Sequence, residues 1–283
     1  MRSGPVILTA LAVVTPGVAS AADWYTGAPG SQGAAPTAYI AAFPPQTDPV
    51  YSSYAPVSKS SEYVGSPVSS SEKFGAAIDL ALTADSKGSR FFTAIATIAP
   101  FSGLEESGMR LRLGGVIGQY SYTNNNLGTI KGTQSDVSFM IGYEWVTQRA
   151  SFGVYGGANY DNNAIDKYDS ANTSVGKGTG LKIAVDFNYR PTDYTMFSGV
   201  GSFSTFHSAY YTRLKAGYAI APQLYVGPEA IYMGDDFFKQ WRIGLHMTGA
   251  KFSMLQVGAS AGVLVDKVRG TGLYGILDAR LGF

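Results

Sequence analysis

An alternation of apolar and other residues, with a period of two, runs from about residue 73 to the end of the sequence. In one segment Leu181, Ile183 and Val185 alternate with Lys182 and Asp186. Successive side chains of a β-strand point to opposite faces, so this pattern is typical of a sheet with one apolar and one polar side. No sustained apolar stripe with the helical period of about 3.6 residues accompanies it. The sequence therefore predicts an all-β fold.

The composition indicates what the apolar side of this sheet faces. Charged residues make up 14% of the chain, against roughly 25% in a typical soluble protein, and Gly, Tyr and Phe number 35, 19 and 15. Beyond the N-terminus, no apolar run of about 18 residues could cross a bilayer as a helix. An antiparallel β-barrel in lipid satisfies both observations. The alternative is a soluble β-sandwich or lipocalin-like barrel, which would place large apolar side chains inside and charges outside.

The alternating segments predict a single antiparallel transmembrane β-barrel over residues 73–283. Twelve segments qualify as strands, and an even number is what single-chain bacterial outer-membrane barrels require. The last residue, Phe283, is in phase with the apolar face, and Tyr143, Trp145 and Tyr189 lie near strand ends, where aromatic girdles meet the headgroups. The strands are expected at 73–84, 90–99, 109–122, 135–147, 151–161, 178–190, 194–204, 209–220, 224–234, 239–249, 251–264 and 272–283.

Connections of alternating length are expected between these strands, because outer-membrane barrels have tight periplasmic turns and longer outer loops. Long outer loops are expected at 123–134 and 162–177. Pro228 lies inside a predicted strand and indicates a bulge or a local break in pairing, since proline has no N–H to donate. Tight turns are expected at Thr147 to Ala150, Pro191 to Asp193, Ala221 to Gln223 and Gly249-Ala250.

Two further segments precede the predicted barrel. Residues 1–21 combine a positive start, an apolar run too short to span a membrane and the small residues Ala19-Ser20-Ala21, which predicts a secretory signal peptide rather than a buried helix or an anchor. Residues 22–72 hold seven of the 13 prolines. Proline interrupts both helix and sheet, so this stretch is predicted to be a flexible Pro/Ser-rich periplasmic segment. A folded plug and a docking peptide remain alternatives.

Charge and residue usage exclude several classes of function. The formal net charge of +1 argues against a nucleic-acid partner, and the absence of cysteine excludes disulfides and thiolate metal sites. Two distant histidines, His207 and His246, make no zinc site. The spacing of Asp161, Asp166 and Asp169, a loose acidic group assigned to the longest loop, is not that of a known calcium loop. We expect no cofactor and no metal.

Catalysis is not expected either. A serine hydrolase of lipids would need a histidine beside a nucleophilic serine, with a third group that orients the histidine. His207 lies near Ser204 and Ser208 in a predicted outer loop, but the spacing matches no known motif. The sequence therefore predicts a protein that is not an enzyme.

The polar face of the predicted barrel collects charges and aromatic rings in its lumen. Buried charges need water or partners. One interpretation is a set of cross-strand ion pairs that brace the wall; the other is a polar conduit that contacts glucan or another solute. The predicted lumen-lining residues are Arg110, Arg112, Tyr120, Glu144, Lys182, Asp186, Arg190, Arg213, Lys215, Glu229, Arg242, Asp278 and Arg280, and with Asp79 they comprise eight basic and five acidic side chains.

Six short segments combine aromatic, charged and glycine residues in a specific order. They are Asp23-Trp24-Tyr25-Thr26-Gly27, Gly142-Tyr143-Glu144-Trp145-Val146-Thr147-Gln148, Tyr189-Arg190-Pro191-Thr192-Asp193-Tyr194, Val226-Gly227-Pro228-Glu229, Gln240-Trp241-Arg242-Ile243-Gly244 and Tyr274-Gly275-Ile276-Leu277-Asp278-Ala279-Arg280. Together they resemble the cellulose biosynthesis protein BcsS family, over the predicted barrel and the start of the mature chain.

The resemblance implies an outer-membrane accessory of bacterial cellulose biosynthesis or secretion, without catalytic residues. It implies outer-membrane lipid, cellulose or another β-glucan and other cellulose-secretion components as partners. We therefore predict a bacterial outer-membrane barrel that assists glucan export or surface anchoring. The alternatives are a general small-solute channel, which a porin-like lumen would favour, and a structural or adhesive barrel with a filled lumen.

Overall fold

A computed structural model describes residues 75–283, which form a closed barrel of twelve antiparallel strands, as predicted. Each strand pairs with its sequence neighbours and β1 pairs with β12, so no strand edge is left open. The strands are β1 (Ala76–Asp85), β2 (Arg90–Ile98), β3 (Gly108–Asn124), β4 (Gly128–Val146), β5 (Ala150–Ile165), β6 (Gly176–Tyr189), β7 (Thr195–Ser204), β8 (Tyr210–Ala221), β9 (Leu224–Gly234), β10 (Lys239–Phe252), β11 (Leu255–Asp266) and β12 (Gly270–Gly282).

The predicted signal peptide, the segment 22–72 and the stretch Asp23-Trp24-Tyr25-Thr26-Gly27 lie outside the described residues. Within residues 75–283, a short 3-10 turn at Phe206–Ser208 is the one helical element. No helix in that part of the chain is long and apolar enough to cross a membrane.

The apolar side of the sheet faces outwards. In β6, Leu181 is 70% exposed and Ile183 59%, whereas Lys182 and Ala184, which alternate with them, border the lumenal cavity. A soluble barrel would have the reverse arrangement, so the β-sandwich and lipocalin-like alternatives are wrong. A closed wall pairs the backbone hydrogen-bonding groups of every strand, and its apolar outer face suits hydrocarbon surroundings. The protein is a barrel of the bacterial outer membrane.

Aromatic side chains mark both rims of this apolar band. Near one end, the ring centroids of Tyr143 and Trp145 lie 5.0 Å apart, and Trp145 also stacks on Phe152 at 5.8 Å. Near the other end, Tyr232 stacks on Trp241 at 3.9 Å. Amphipathic rings at these positions are typical of the two interfaces of an outer-membrane barrel.

Both ends of the barrel sequence meet at one rim. The N–H of Phe283 donates to the carbonyl of Ala76 at 2.8 Å, and the N–H of Ala76 donates back at 3.1 Å. The two-residue turns 222–223 and 253–254 lie at this rim as well. Because tight turns characterise the periplasmic side, we call this rim the periplasmic end and the opposite rim the outer end.

The long outer loop predicted at 123–134 is wrong, because β3 and β4 continue as a paired hairpin to the turn 125–127. Asn124 accepts hydrogen bonds from the N–H groups of Asn126 and Leu127, and Gly128 follows with a φ of +72°. Above the membrane a strand needs no apolar face, so the alternation fades where the pairing continues. The wall is therefore longer at β3, β4 and β5, which have 17, 19 and 16 residues, than at β2, which has 9 residues.

The tight turn predicted at Gly249-Ala250 is also wrong. β10 continues to Phe252, and the turn to β11 lies at Ser253 and Met254. Gly249, with a φ of +105°, instead occupies a shift of register between Thr248 and Ala250. A positive-φ glycine favours a bulge as readily as a turn, so the residue type alone did not distinguish them.

The local break predicted at Pro228 is present. β8 and β9 keep one register from Tyr210 to Ala219, but the positions opposite Pro228 and Gly227 are unpaired. On its other side Pro228 remains in register with Leu245 of β10.

Candidate functional site in the barrel lumen

A cavity of about 470 Å³ lies in the lumen and extends to the outer loops. Its size falls within the range of small-molecule binding sites. Of the predicted lumen-lining residues, those that border it are Arg112, Tyr120, Lys182, Asp186, Arg213, Lys215, Arg242 and Asp278.

The densest charge cluster of the lumen joins β8, β9 and β12, and consists of Arg213, Lys215, Glu229 and Asp278. The Arg213 guanidinium donates to both carboxylate oxygens of Asp278 at 2.9 Å and to Glu229 at 2.6 Å. The Lys215 ammonium lies 3.2 Å from Asp278. Glu229 also accepts the hydroxyl of Tyr274 at 3.1 Å. This β8–β9–β12 cluster ties strands that are far apart in sequence.

Another set of ion pairs links β3, β4 and β6 on the inner face of the wall. Arg112 of β3 pairs with Asp186 of β6, and its guanidinium carbon lies 3.5 Å from the ring centroid of Tyr155. Lys182 of β6 pairs with Asp136 of β4 at 2.7 Å. These side chains occupy space that an open pore would leave to water.

The connection between β2 and β3, residues 99–107, folds under the periplasmic end. Arg110 is fully buried there and pairs with Glu144 at 2.8 Å. It also donates to the hydroxyl of Ser102 at 3.1 Å and to the carbonyl of Glu106 at 2.5 Å. Leu104, 2% exposed, packs with Ala77 and Ala99. Arg110 therefore holds the connection against the wall and narrows this end.

Arg190 is the buried basic residue of the described chain that has no carboxylate partner. Its guanidinium carbon lies 5.3 Å from the ring centroid of Tyr225, and its Nε has no hydrogen-bond partner. The other buried basic residues, Arg110, Lys215, Arg242 and Arg280, all form ion pairs. Arg190 is thus held by ring contact rather than by charge pairing.

The outer loop of residues 166–175, shorter than predicted, folds over the outer end of the lumen. Tyr122 of β3 donates its hydroxyl to Asp169 of this loop at 2.9 Å and accepts the amide of Asn172 at 3.2 Å. The Tyr122 ring also lies 5.3 Å from that of Phe237, in the loop between β9 and β10. Two loops and β3 therefore narrow the outer mouth.

Two acidic residues of the outer loops have opposite pKa shifts. The N–H of Ala171, and then the Tyr122 hydroxyl, donate to Asp169 and lower its pKa. Burial raises the pKa of Asp235, although the N–H groups of Phe238 and Phe237 act against this shift.

The inward direction predicted for the charged residues matches their burial and their partners. Arg110, Glu144, Arg190, Glu229 and Arg280 face inwards without bordering the cavity, and their contact with glucan or solute stays a prediction. Three paired acidic residues outside the predicted set, Asp85, Asp136 and Asp266, reduce the predicted positive excess, whereas Arg269 adds to it.

The sequence features that could have predicted an inward direction differ among these three acidic residues. Asp136 lies in the inward phase of its segment and could have been found from the alternation. Asp85 and Asp266 lie at strand ends, where the alternation stops, and both pair with Arg269 in the turn between β11 and β12. Asp161, assigned to a loop from the sequence, lies inside β5.

Neither histidine contacts a serine hydroxyl. His246 is 1% exposed and bonds through both ring nitrogens, to Thr248 at 2.9 Å and to the Ala216 carbonyl at 3.1 Å. The hydroxyl of Ser204, near His207 in sequence, donates to Asn159 instead. Within residues 75–283, no group of three or more His, Asp or Glu side chains is placed to hold a metal ion.

Comparison with known proteins identifies the family of this barrel. The family model described as cellulose biosynthesis protein BcsS matches residues 83–283. The chain belongs to the BcsS family. The match covers nearly the whole barrel, so the family's relation to cellulose biosynthesis concerns the domain described above.

Solved structures similar to this BcsS-family barrel are outer-membrane proteins of low sequence identity. The KdgM porin in complex with disordered oligogalacturonate is 10% identical, with a TM-score of 0.42 over 73% of this chain and 99% of that one. The transport unit of the autotransporter AIDA-I from Escherichia coli is 9% identical, with a TM-score of 0.46 over 82% and 97%. The β domain of the Bordetella autotransporter BrkA is 14% identical, with a TM-score of 0.44 over 75% and 100%. No match was found among curated proteins.

Proposed function

We propose that this BcsS-family barrel assists the export or surface anchoring of cellulose at the outer membrane, and that it does so without catalysis. The observation that carries the proposal is the family match over residues 83–283, which is the domain that forms the barrel. The apolar outer face suits this domain to the hydrocarbon of the membrane. The outer loops form a surface on the external side of the membrane, where secreted glucan emerges.

The interior of the barrel favours a role in which the protein contacts cellulose over a role in which the cellulose chain passes through the lumen. Arg112 and Asp186 pair inside the lumen, Arg213 bridges two carboxylates, and the connection held by Arg110 narrows the periplasmic end. A twelve-stranded barrel lies between the filled eight-stranded barrels and the open sixteen-stranded porins. Cross-strand ion pairs in the lumen are typical of the filled type, and they support an accessory role beside a separate export pore.

Deletion of the gene tests the proposal in cellulose-producing cells of the source organism. We expect less cellulose in the surface-attached fraction, and recovery when the full-length wild-type chain is supplied from a plasmid. Total glucan and surface-attached glucan should be measured separately, because a defect in anchoring releases polymer into the medium whereas a defect in export lowers the total. Unchanged amounts in both fractions would contradict the proposal.

A further inference from the structure

Asp161 borders the lumenal cavity beneath the outer loops and is 7% exposed. Gln134 donates its amide to Oδ2 of Asp161 at 3.1 Å, whereas the buried Oδ1 has no hydrogen-bond partner. Asp136, on the neighbouring strand, pairs with Lys182, but Asp161 forms no ion pair within residues 75–283. A buried acceptor without a donor is costly to maintain. The cavity therefore presents an unused, strongly accepting oxygen to whatever enters it.

His207 borders the same cavity from the loop between β7 and β8. Its Nε2 is buried and has no hydrogen-bond partner. The residue has a φ of +54°, and its ring lies 4.0 Å from that of Phe206. Phe206 in turn packs where Gly178 leaves room, since a Cβ on that glycine would lie 2.4 Å from the ring. The loop thus holds a second unused polar atom at the cavity.

Aromatic rings complete the border of this region. Tyr120 and Tyr122 stack with centroids 6.3 Å apart and an interplanar angle of 16°, and Phe237 packs against Tyr122. The hydroxyl of Tyr120 donates to Asn163 and that of Tyr122 to Asp169. Because these hydroxyls are engaged, the rings offer mainly apolar surface.

We propose that the outer half of the cavity is a binding site for neutral sugar rings, with Asp161 and His207 as its hydrogen-bonding groups. A sugar ring offers hydroxyl donors to the Asp161 oxygen, hydroxyls that exchange a hydrogen bond with His207, and C–H faces that pack on the tyrosine and phenylalanine rings. An anion is disfavoured by the unpaired carboxylate. This site rests on the proposed function and deepens it, because it specifies where a glucan chain end would be held.

Isothermal titration of the full-length protein in detergent with cellohexaose tests the site. We expect saturable binding by the wild type, and roughly 10- to 100-fold weaker binding by Asp161→Asn, which loses a hydrogen bond to a charged acceptor. His207→Asn should also weaken binding, and asparagine tolerates the positive φ at that position. Asp193→Asn, at an exposed residue of the periplasmic end, is the matched control and should bind as the wild type does.

The outcomes separate this site from the proposed function. Heat-modifiable migration in gels confirms that each variant forms a barrel. Absence of cellohexaose binding by the wild type, or equal binding by all variants, overturns the sugar site. Saturable binding of choline without binding of cellohexaose would indicate a cation-binding site and would also overturn the sugar site. If the wild type does not bind but gene deletion still depletes surface cellulose, the site is wrong and the proposed function stands.

Discussion

His246 supplies the hydrogen bond that Pro228 cannot. Proline has no N–H, and the β8 residue opposite Pro228 is Ala216, whose pairing is missing from an otherwise continuous register. The ring Nε2 of His246, on the adjacent strand β10, lies 3.1 Å from the Ala216 carbonyl oxygen and takes that place. The other ring nitrogen lies 2.9 Å from the Thr248 hydroxyl, which fits an imidazole that donates from Nε2.

A double-mutant cycle tests whether the His246 side chain replaces the backbone donor that Pro228 lacks. His246→Ala should lower the free energy of unfolding by about 1–3 kcal/mol, because it leaves the partly buried Ala216 carbonyl without a donor. Pro228→Ala restores an N–H, so the double variant should lose less than His246→Ala alone. Urea titration of barrels refolded into lipid vesicles measures all four proteins. Additive effects of the two substitutions would rule out the relationship.

Arg213→Met tests whether the β8–β9–β12 cluster braces the barrel. The substitution leaves Glu229, whose side chain is fully buried, and Asp278 with Lys215 as their remaining cation. Loss of one partner of a buried pair should lower the free energy of unfolding by about 3–5 kcal/mol. Arg149→Met, in the exposed pair with Asp193, should change it by less than about 1 kcal/mol. Equal effects of the two substitutions would refute the bracing role.

Arg190→Met should have the opposite outcome to Arg213→Met. Arg190 has no carboxylate partner in the described chain, so its removal leaves no acid unpaired. A methionine keeps the contact with the Tyr225 ring and removes a buried charge. We expect the free energy of unfolding to stay within about 1 kcal/mol of wild type or to rise. A loss as large as that of Arg213→Met would mean that Arg190 has an acidic partner that the fold does not reveal.

The docking of the loop 166–175 should depend on the ionisation of Asp169. Its pKa is lowered in the folded loop, chiefly by the N–H of Ala171. The ionised carboxylate therefore contributes stability that is present above the unfolded pKa of about 3.9 and is lost as the pH falls through the folded value. Cleavage of the loop by an acid-active protease should increase over that window. Asp169→Asn should remove the pH dependence; a variant with the wild-type profile would exclude Asp169 as the cause.

The loop 235–238 should respond to acid with the opposite sign. Burial raises the pKa of Asp235, so the folded loop binds its proton more tightly than the unfolded one. Its stability should rise as the pH falls from neutral through the folded pKa, towards the unfolded value of about 3.9. Protection of these residues in amide hydrogen exchange should increase over that range. Protection that decreases in parallel with loop 166–175 would contradict this sign.

The sequence predicted the number of strands and the direction of the charged side chains because both follow from a period of two. It could not pair those charges. Arg112 and Asp186 are 74 positions apart, and Arg213 and Asp278 are 65 apart. Only closure of the barrel, with its register, brings such residues into contact. The ion-pair network and the unused atoms of Asp161 and His207 are properties of the closed barrel rather than of any segment.

The errors in the sequence prediction have two physical origins. Alternation reports on the membrane-facing wall, so it lost β3 and β4 where they continue beyond the lipid to the turn at 125–127. Gly249-Ala250 predicts a turn wrongly because a glycine next to a small residue fits a turn and a bulge equally well. Pro228 was placed correctly because a missing N–H has the same consequence in any sheet.

Single-channel recording of the full-length protein in planar bilayers tests most directly the central claim that a braced barrel handles β-glucan without serving as an open pore. The account predicts no sustained conductance from the wild type, with or without cello-oligosaccharides, and stable steps from Arg112→Ala, which removes a large side chain and its pair with Asp186 from the lumen. Correct folding is checked in the same sample by heat-modifiable migration. Large, steady conductance from the wild type that sugar does not change would contradict the account.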